Sequence, residues 1–331
     1  MTRGLVVGKF FPPHAGHVFL FESAAAASDE LHICLLAAPH EEAVLPRWLR
    51  HGWLTELAPP GAVVTSSTSD HPIDYADPAA YDLWVMQIRA TTGREHFDLL
   101  FTSEPAYGEE TARRLGARHV LVDAERQNVP VSASAIRSNP YAHWSFIPPP
   151  VRAHYARRVL VTGAESTGTT TIAAALADLF RTRWVPEYGR EYSGPKDARG
   201  EPWTSIEFLH IALTQQALED AAAREANRLL FCDTDALATA IWHELYLGRF
   251  GAPVAGASWS DRYDLIFLTD ADFPWVDDGT RTSDAIRLGM QRRFVEELKA
   301  RDRPFVTLSG SHAERMTTAE GAIRKITGLT P

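Results

Sequence analysis

Short runs of consecutive apolar residues, bounded by polar or glycine positions, alternate along this chain with longer, mixed segments of helix-like composition. Unbroken apolar runs of five to eight residues, as opposed to alternating ones, are the mark of strands buried on both faces of a parallel sheet. In the first half this predicts strands over 4–8, 31–38, 62–66, 99–103 and 119–123, with helices over 15–28 and 81–91. The pattern then restarts. Strands are predicted over 158–163, 183–186, 229–233, 263–269 and 304–309, with a helix over 205–227. Between the halves, Phe146-Ile-Pro-Pro-Pro-Val151 reads as a connector that interrupts regular structure, because consecutive prolines remove backbone donors and fix φ. The expected architecture is α/β throughout: a Rossmann-like domain over 1–147 and a second α/β domain over 156–331.

Composition narrows the partners. At roughly 150 residues per domain, 331 residues suit two domains, and 33 Lys and Arg against 42 Asp and Glu leave a net charge of −9. Sequence-independent nucleic-acid binding rests on cations neutralising phosphates, so nucleic acid and anionic membrane surfaces are not expected partners. A local basic cleft for a small anion remains compatible with that balance. Cys34 and Cys232 sit inside apolar runs and read as reduced core thiols. No run of ~18 apolar residues is present, and the N-terminus passes directly into a strand without a signal-peptide pattern. A cytoplasmic protein is expected, with room for a homo-oligomer.

The first chemical constellation is LVVGKFFPPHAGH, a strand, a tight turn and a helix start. His14 and His17 are three apart and share a face of that helix, whose N-terminus favours phosphate. Lys9 adds a cation, and Gly8 and Gly16 permit close backbone approach. A second segment, VSASAIR, offers two hydroxyls, Ser132 and Ser134, followed by the guanidinium of Arg137. GKFFPPHAGH resembles the GxFxPxHxGH signature of the nucleotidyltransferase superfamily, and VSASAIR resembles its ISxTxxR signature, with Ser134 in place of the threonine. The resemblance implies that His14 and His17 contact the α- and β-phosphates of ATP. It also implies that Lys9 and Arg137 hold the triphosphate and that Gly8, Phe10, Gly16, Ser132 and Ser134 complete the ATP site.

The second constellation is RVLVTGAESTGTTTIAAALA, again strand, glycine loop, helix. Its loop, Gly163-Ala-Glu165-Ser166-Thr167-Gly168-Thr169-Thr170 followed by Thr171, fits the P-loop pattern GxxxxGK[ST] except that Thr169 stands where lysine belongs. The backbone nest and the Thr170 hydroxyl, a ligand for Mg²⁺ with ATP, are retained; the side-chain cation on the β- and γ-phosphates is lost. Asp233, at the end of an apolar strand in LLFCDTD, is expected beside the metal. Either Glu187 or Asp233 is placed to accept a substrate proton, since carboxyl ends of parallel strands face the ligand crevice. Farther on, PWVDDGTRTSD reads as a polar lid carrying Arg281. Behind it, Arg287, Arg292 and Arg293 read equally well as lid cations or as a solvated face.

Together these pieces, with FTSE (Phe101–Glu104), VLVDAER (Val120–Arg126), WSFIPPPVR, EYGREY (Glu187–Tyr192) and FCDTD, resemble the bifunctional NadR-like family over nearly the whole chain. In that family an adenylyltransferase for nicotinamide mononucleotide (NMN) is fused to a ribosylnicotinamide kinase. The resemblance implies ATP, NMN, nicotinamide riboside and NAD as ligands, Arg50 near the NMN phosphate, and Trp53 or Trp84 against the nicotinamide ring. Some relatives begin with a helix-turn-helix domain; here the first strand starts by residue 4, which leaves a repressor role no module in this sequence. Thr169 leaves the kinase open, with Arg190, Lys196 and Arg281 as substitute cations. The alternatives are an inactive, nucleotide-sensing P-loop domain, or adenylyl or cytidylyl transfer to another phosphorylated acceptor.

Overall fold

The computed structural model describes residues 1–68, 77–257, 262–272 and 284–331. The chain divides into two compact units, Met1–Val151 and Arg152–Pro331, each built on a five-stranded parallel sheet.

In the first unit, the elements run β1 (Arg3–Gly8), α1 (Ala15–Ala26), β2 (Glu30–Ala37), α2 (Arg47–Leu57), β3 (Val63–Thr68) and α3 (Pro78–Thr92). They continue with β4 (Leu99–Thr102), α4 (Pro105–Leu115), β5 (Arg118–Leu121) and α5 (Ala133–Ser138). The sheet order is β3-β2-β1-β4-β5. β1 and β2 are buried on both faces, which is why they read as continuous apolar runs: Leu5, Val7 and Cys34 pack under α3 and α4, and Val6, Ile33 and Leu35 under α1 and α2. The order reverses between β1 and β4, and a ligand crevice opens at the carboxyl end of a strand beside such a switch point.

The three prolines do not interrupt the chain as expected. Pro149 and Pro150 begin a helix, α6 (Pro149–Tyr155), which leads into the second unit. At a helix start the missing N–H would have had no partner anyway, and the fixed φ is already helical.

The second unit runs β6 (Arg157–Thr162), α7 (Thr169–Phe180), β7 (Arg183–Val185), α8 (Tyr188–Arg199), α9 (Ser205–Ala223), β8 (Leu229–Asp233) and α10 (Ala236–Leu247). After these come α11 (Ala252–Ala257), β9 (Leu265–Thr269), α12 (Asp284–Ala300), β10 (Val306–Leu308) and α13 (His312–Thr327). Its sheet order is β10-β9-β6-β8-β7, with β6 central, so the loop after β6 lies over the middle of the sheet. Val159, Val161, Phe231 and Phe267 pack one face against α7 and α13. A separate cluster of Phe208, Ala212, Ala236, Ala240 and Val254 joins α9, α10 and α11. Both cysteines are buried free thiols. Among the described residues no helix is long and apolar enough to cross a membrane.

Candidate active sites

In the first unit the turn after β1 delivers His14 to the N-cap of α1 and His17 to its first turn. The N–H of Gly16 donates to Nδ1 of His14 (3.1 Å), and the N–H of His14 donates to Nδ1 of His17 (3.2 Å). Each Nδ1 is therefore an acceptor, so each neutral ring carries its proton on Nε2. The rings stack with centroids 3.8 Å apart, and Phe10 meets His17 edge-on at 5.0 Å. Burial, and then the charge of Arg126, lowers His14 to about 4; burial, His14 and Arg126 hold His17 well below the usual range. The pair is thus neutral at pH 7 and presents two fixed N–H donors without charge repulsion.

These histidines share a cavity of about 160 Å³ with Gly16, Ser132, Ser134 and Arg126. Ser132 caps α5, its Oγ accepting from the N–H of Ala135 (3.1 Å), and Ser134 accepts from Arg137 (3.1 Å). Arg137 also donates to the carbonyl of Phe11 and lies 4.6 Å over its ring. Arg50 covers the same ring at 5.1 Å. The Arg50 side chain is fully buried and donates to the Lys9 carbonyl (2.8 Å) and Glu41 (2.8 Å). Its Nε and Nη2 have no hydrogen-bond partner among the described residues, and Glu42 lies 3.9 Å from Nη2. Glu41 also holds the ammonium of Lys9 at 3.1 Å. Burial pushes Glu41 up, but the Ala38 amide, Arg50 and Lys9 outweigh it and leave the carboxyl below its ordinary value.

In the second unit the P-loop follows β6, with Gly163 at φ 158 and Gly168 at φ 87, both in the region that excludes most side chains. Thr167 ties the loop to the sheet through Thr269 (2.6 Å) and its own Ala164 carbonyl (2.7 Å). Behind it the buried Arg315 donates to the carbonyls of Thr167 (2.9 Å) and Asp270 (3.1 Å) and pairs with Asp272. A trans peptide points its N–H opposite its C=O, so turning the Thr167 carbonyl toward Arg315 turns the Gly168 N–H away from it, to the ligand side of the loop.

Thr170, in the first turn of α7, donates to Asp233 Oδ2 (2.6 Å); Asp233 Oδ1 is buried with no hydrogen-bond partner among the described residues. Burial raises Asp233, with the Thr170 hydroxyl pulling it back. Glu187 is raised too, first by burial and then by the Asp233 charge, while Arg190, 3.5 Å away, opposes this. A hydroxyl at 2.6 Å and an orphaned carboxylate oxygen suit a divalent cation that keeps further ligands from water and phosphate. Glu165, Ser166, Gly168, Thr169, Thr170, Thr171, Glu187 and Arg190 line one side of a cavity of about 680 Å³. Trp203, Phe208, Trp242 and Tyr246 are among its other lining residues, with Trp203 and Phe208 centroids 4.9 Å apart and Trp203 and Tyr246 5.4 Å apart.

Residues 158–315 match the AAA domain family. The chain is 31% identical over 322 residues to the trifunctional NAD biosynthesis/regulator protein NadR of Escherichia coli (strain K12), covering 92% of this chain and 78% of that protein. It is 31% identical over 320 residues, with the same coverage, to the protein of that name from Salmonella typhimurium (strain LT2). The chain belongs to the NadR family. Solved structures agree at the level of fold. A NadR protein in complex with NR is 22% identical and superposes with a TM-score of 0.78, over 99% of this chain and 97% of that one. A NadR protein in complex with NAD and AMP-PNP is also 22% identical and gives 0.74, over 100% and 97%. As in that family, NAD biosynthesis is the setting in which the two sites are to be read.

Within this NadR-type frame the structure rearranges several sequence expectations. Lys9 and Arg137 do not line the cavity of the histidines: one is held by Glu41 and the other by Phe11 and Ser134. Trp84 lies in the core between β1, β2 and Phe97, 7% exposed and edge-on to Tyr107. Trp53, on α2, is also buried. Lys196 is committed to Glu207 (2.8 Å) and to the face of Trp203 (5.2 Å), and it is not itself among the residues lining the P-loop cavity. Arg287 is buried and paired with Asp284, not part of a solvated face. Arg281 lies outside the described residues. The sequence assigns no role to Glu41, Arg126, Arg315 or the aromatic residues of the second cavity. Each acts across the fold from a segment without a motif of its own, except Arg126, whose motif was read only as a likeness.

Proposed function

We propose that this chain makes NAD in two ATP-dependent steps: the second unit phosphorylates nicotinamide riboside, and the first adenylylates the resulting mononucleotide. The observation that carries the reading is the pair of candidate phosphate sites in one chain. One is a stacked histidine pair in which each Nδ1 accepts a backbone N–H, leaving each Nε2 to donate; the other is a P-loop whose Thr170 is bonded to a strand-end aspartate.

In the kinase unit the aromatic wall receives the pyridine ring and ribose, since flat aromatic faces suit a cationic ring. Glu187, kept above the ordinary carboxylate range, takes the proton of the hydroxyl that attacks the γ-phosphorus. Mg²⁺, brought with ATP, would be held by Thr170 and Asp233 and would supply neutralisation of charge on the phosphate oxygens. The P-loop amides, fixed from behind by Arg315, and Arg190 at the cavity wall stand in for the absent lysine.

In the transferase unit the Nε and Nη2 of Arg50, which have no hydrogen-bond partner among the described residues and only Glu42 at 3.9 Å from Nη2 as an ion-pair neighbour, suit the phosphate of NMN. The neutral histidines donate to the α-phosphate oxygens, where charge grows as the NMN phosphate attacks. No general base is required because the nucleophile is already ionised.

Incubation with Mg²⁺-ATP and nicotinamide riboside, beside a parallel reaction fed NMN, tests both steps. The expected product is NAD from either substrate. Thr169 favours one other reading, a nucleotide-sensing second unit without turnover. NAD from NMN alone would establish that reading in its place, and NAD from neither would reject the proposal.

A further inference from the structure

Two motifs remain without a role: FTSE, which ends at Glu104, and VLVDAER, which ends at Arg126. The tertiary structure joins them. β4 and β5 are parallel neighbours, so the segments that follow them emerge on the same edge of the sheet, and there Arg126 faces Glu104 at 3.7 Å. That separation is an ion pair without a hydrogen bond, and both side chains are half-exposed.

The position of Arg126 is nonetheless built. It sits at φ 51 in a turn closed by its own N–H to the Asp123 carbonyl (2.9 Å). The Asp123 carboxylate braces the far side of that turn by accepting the N–H groups of Asn128 and Val129, both at 3.1 Å. The turn brings Arg126 to the cavity of His14, His17, Ser132 and Ser134, where it is the cation among the described lining residues. The two cations first expected on the triphosphate are engaged elsewhere, Lys9 by Glu41 and Arg137 by Phe11 and Ser134. The charge of Arg126 reaches both histidines, since it contributes to the low pKa of each.

We propose that Arg126 binds the β- and γ-phosphates of ATP and stabilises the departing pyrophosphate, exchanging its loose contact with Glu104 for that anion. The inference deepens the adenylyl-transfer reading and rests on it. In the step, an oxygen of the NMN phosphate forms a bond to the α-phosphorus. The bond from that phosphorus to the oxygen bridging toward the β-phosphorus breaks, and its electron pair leaves with pyrophosphate. No proton need move. Negative charge therefore accumulates on the leaving oxygens, where a forked guanidinium donor is more effective than in the ground state.

The test compares wild type with R126Q and R126K in three assays: NAD formation from Mg²⁺-ATP and NMN, the reverse reaction of NAD with pyrophosphate, and calorimetric binding of inorganic pyrophosphate. For R126Q we expect kcat/KM for ATP to fall about 100-fold and the KM for pyrophosphate to rise by a similar factor, as for loss of one transition-state donor. The KM for NMN should stay within about twofold, and R126K should retain roughly a tenth of wild-type activity, keeping the charge without the fork. An unchanged thermal transition in both variants would separate this effect from misfolding. Pyrophosphate KM and affinity in R126Q within about twofold of wild type would overturn the proposal, as would a defect confined to NMN. Should wild type form no NAD, the calorimetry still decides: pyrophosphate binding lost in R126Q keeps Arg126 as an anion ligand and rejects adenylyl transfer. Absence of binding in both proteins overturns the assignment of Arg126 itself.

Discussion

At the scale of single residues, the histidine pair shows how a short spacing becomes a chemical device. HxxH places two imidazoles on one helix face, but it is the backbone N–H groups of His14 and Gly16 that make each Nδ1 an acceptor and leave each Nε2 to donate. Burial then removes the charged form. Because the folded pKa of His14 lies below its ordinary value, protonation of that ring is expected only as the pH falls toward 4, and a histidine Cε1–H NMR titration of the free protein should place the midpoint there. A midpoint near 6.5 would mean that the ring is open to solvent and charged near neutrality. Replacing His17 by Ala removes one transition-state donor and the acceptor for the His14 amide. NAD formation from NMN should fall by about 10² to 10³, while phosphorylation of nicotinamide riboside in the same sample is unaffected. A rate within tenfold of wild type would show that His17 does not face the reacting phosphate.

At the scale of elements, the P-loop depends on what packs behind it. Gly163 has no room for a methyl group: a Cβ there would meet the Thr167 hydroxyl and the Thr269 side chain and carbonyl. Gly163→Ala should therefore displace the loop from β9, abolish nucleoside phosphorylation and lower the unfolding transition of the second unit by the equivalent of roughly 1 to 3 kcal/mol. Adenylyl transfer by the same protein should persist, and a variant with normal kinase activity would show that the loop tolerates the shift. Thr169 belongs to this scale too. The glycine spacing was legible in the sequence because backbone conformation is a local property, whereas the support from Arg315 was not, since that residue lies 148 positions downstream of Thr167.

At the scale of the whole molecule, the strands were readable because parallel sheets covered on both faces demand apolar side chains at every position, and most boundaries shifted by only one to three residues. The proline run starts a helix where an interruption was expected, since the same residue ends a helix from within and begins one from its first turn. Ionisable groups buried by long-range packing were not readable at all. Glu219, on α9, is fully buried. It accepts from the Tyr263 hydroxyl at 2.8 Å and lies 3.6 Å from both Arg158, at the start of β6, and Arg262. Burial outweighs these partners and raises its pKa from 4.5 to about 7. A raised carboxyl holds its proton in the folded state after the unfolded chain has released it, so this group costs stability progressively as the pH rises from about 4.5 to about 7. E219Q keeps the acceptor for Tyr263 without the charge. Its advantage over wild type should grow from under about 1 kcal/mol at pH 5 to about 3 kcal/mol at pH 8, measured as the difference in thermal unfolding between the two proteins. A wild type at least as stable as E219Q at pH 8 would mean that the two guanidiniums, and not burial, govern this site.

The sequence by itself determined the α/β class, the two-unit plan and the positions of both phosphate motifs. Each of these depends on neighbours within about a dozen residues: apolar runs, glycines at strand ends, and the first turn of a helix. Only the tertiary structure decided which charges are free to meet a ligand. Glu41 engages Lys9, Phe11 and Ser134 engage Arg137, Glu207 engages Lys196, and the turn braced by Asp123 brings Arg126 to the histidines. A charged side chain is used where its partners leave it unsatisfied. Those partners are set by which strand ends the sheet order brings side by side, a relation that local sequence does not encode.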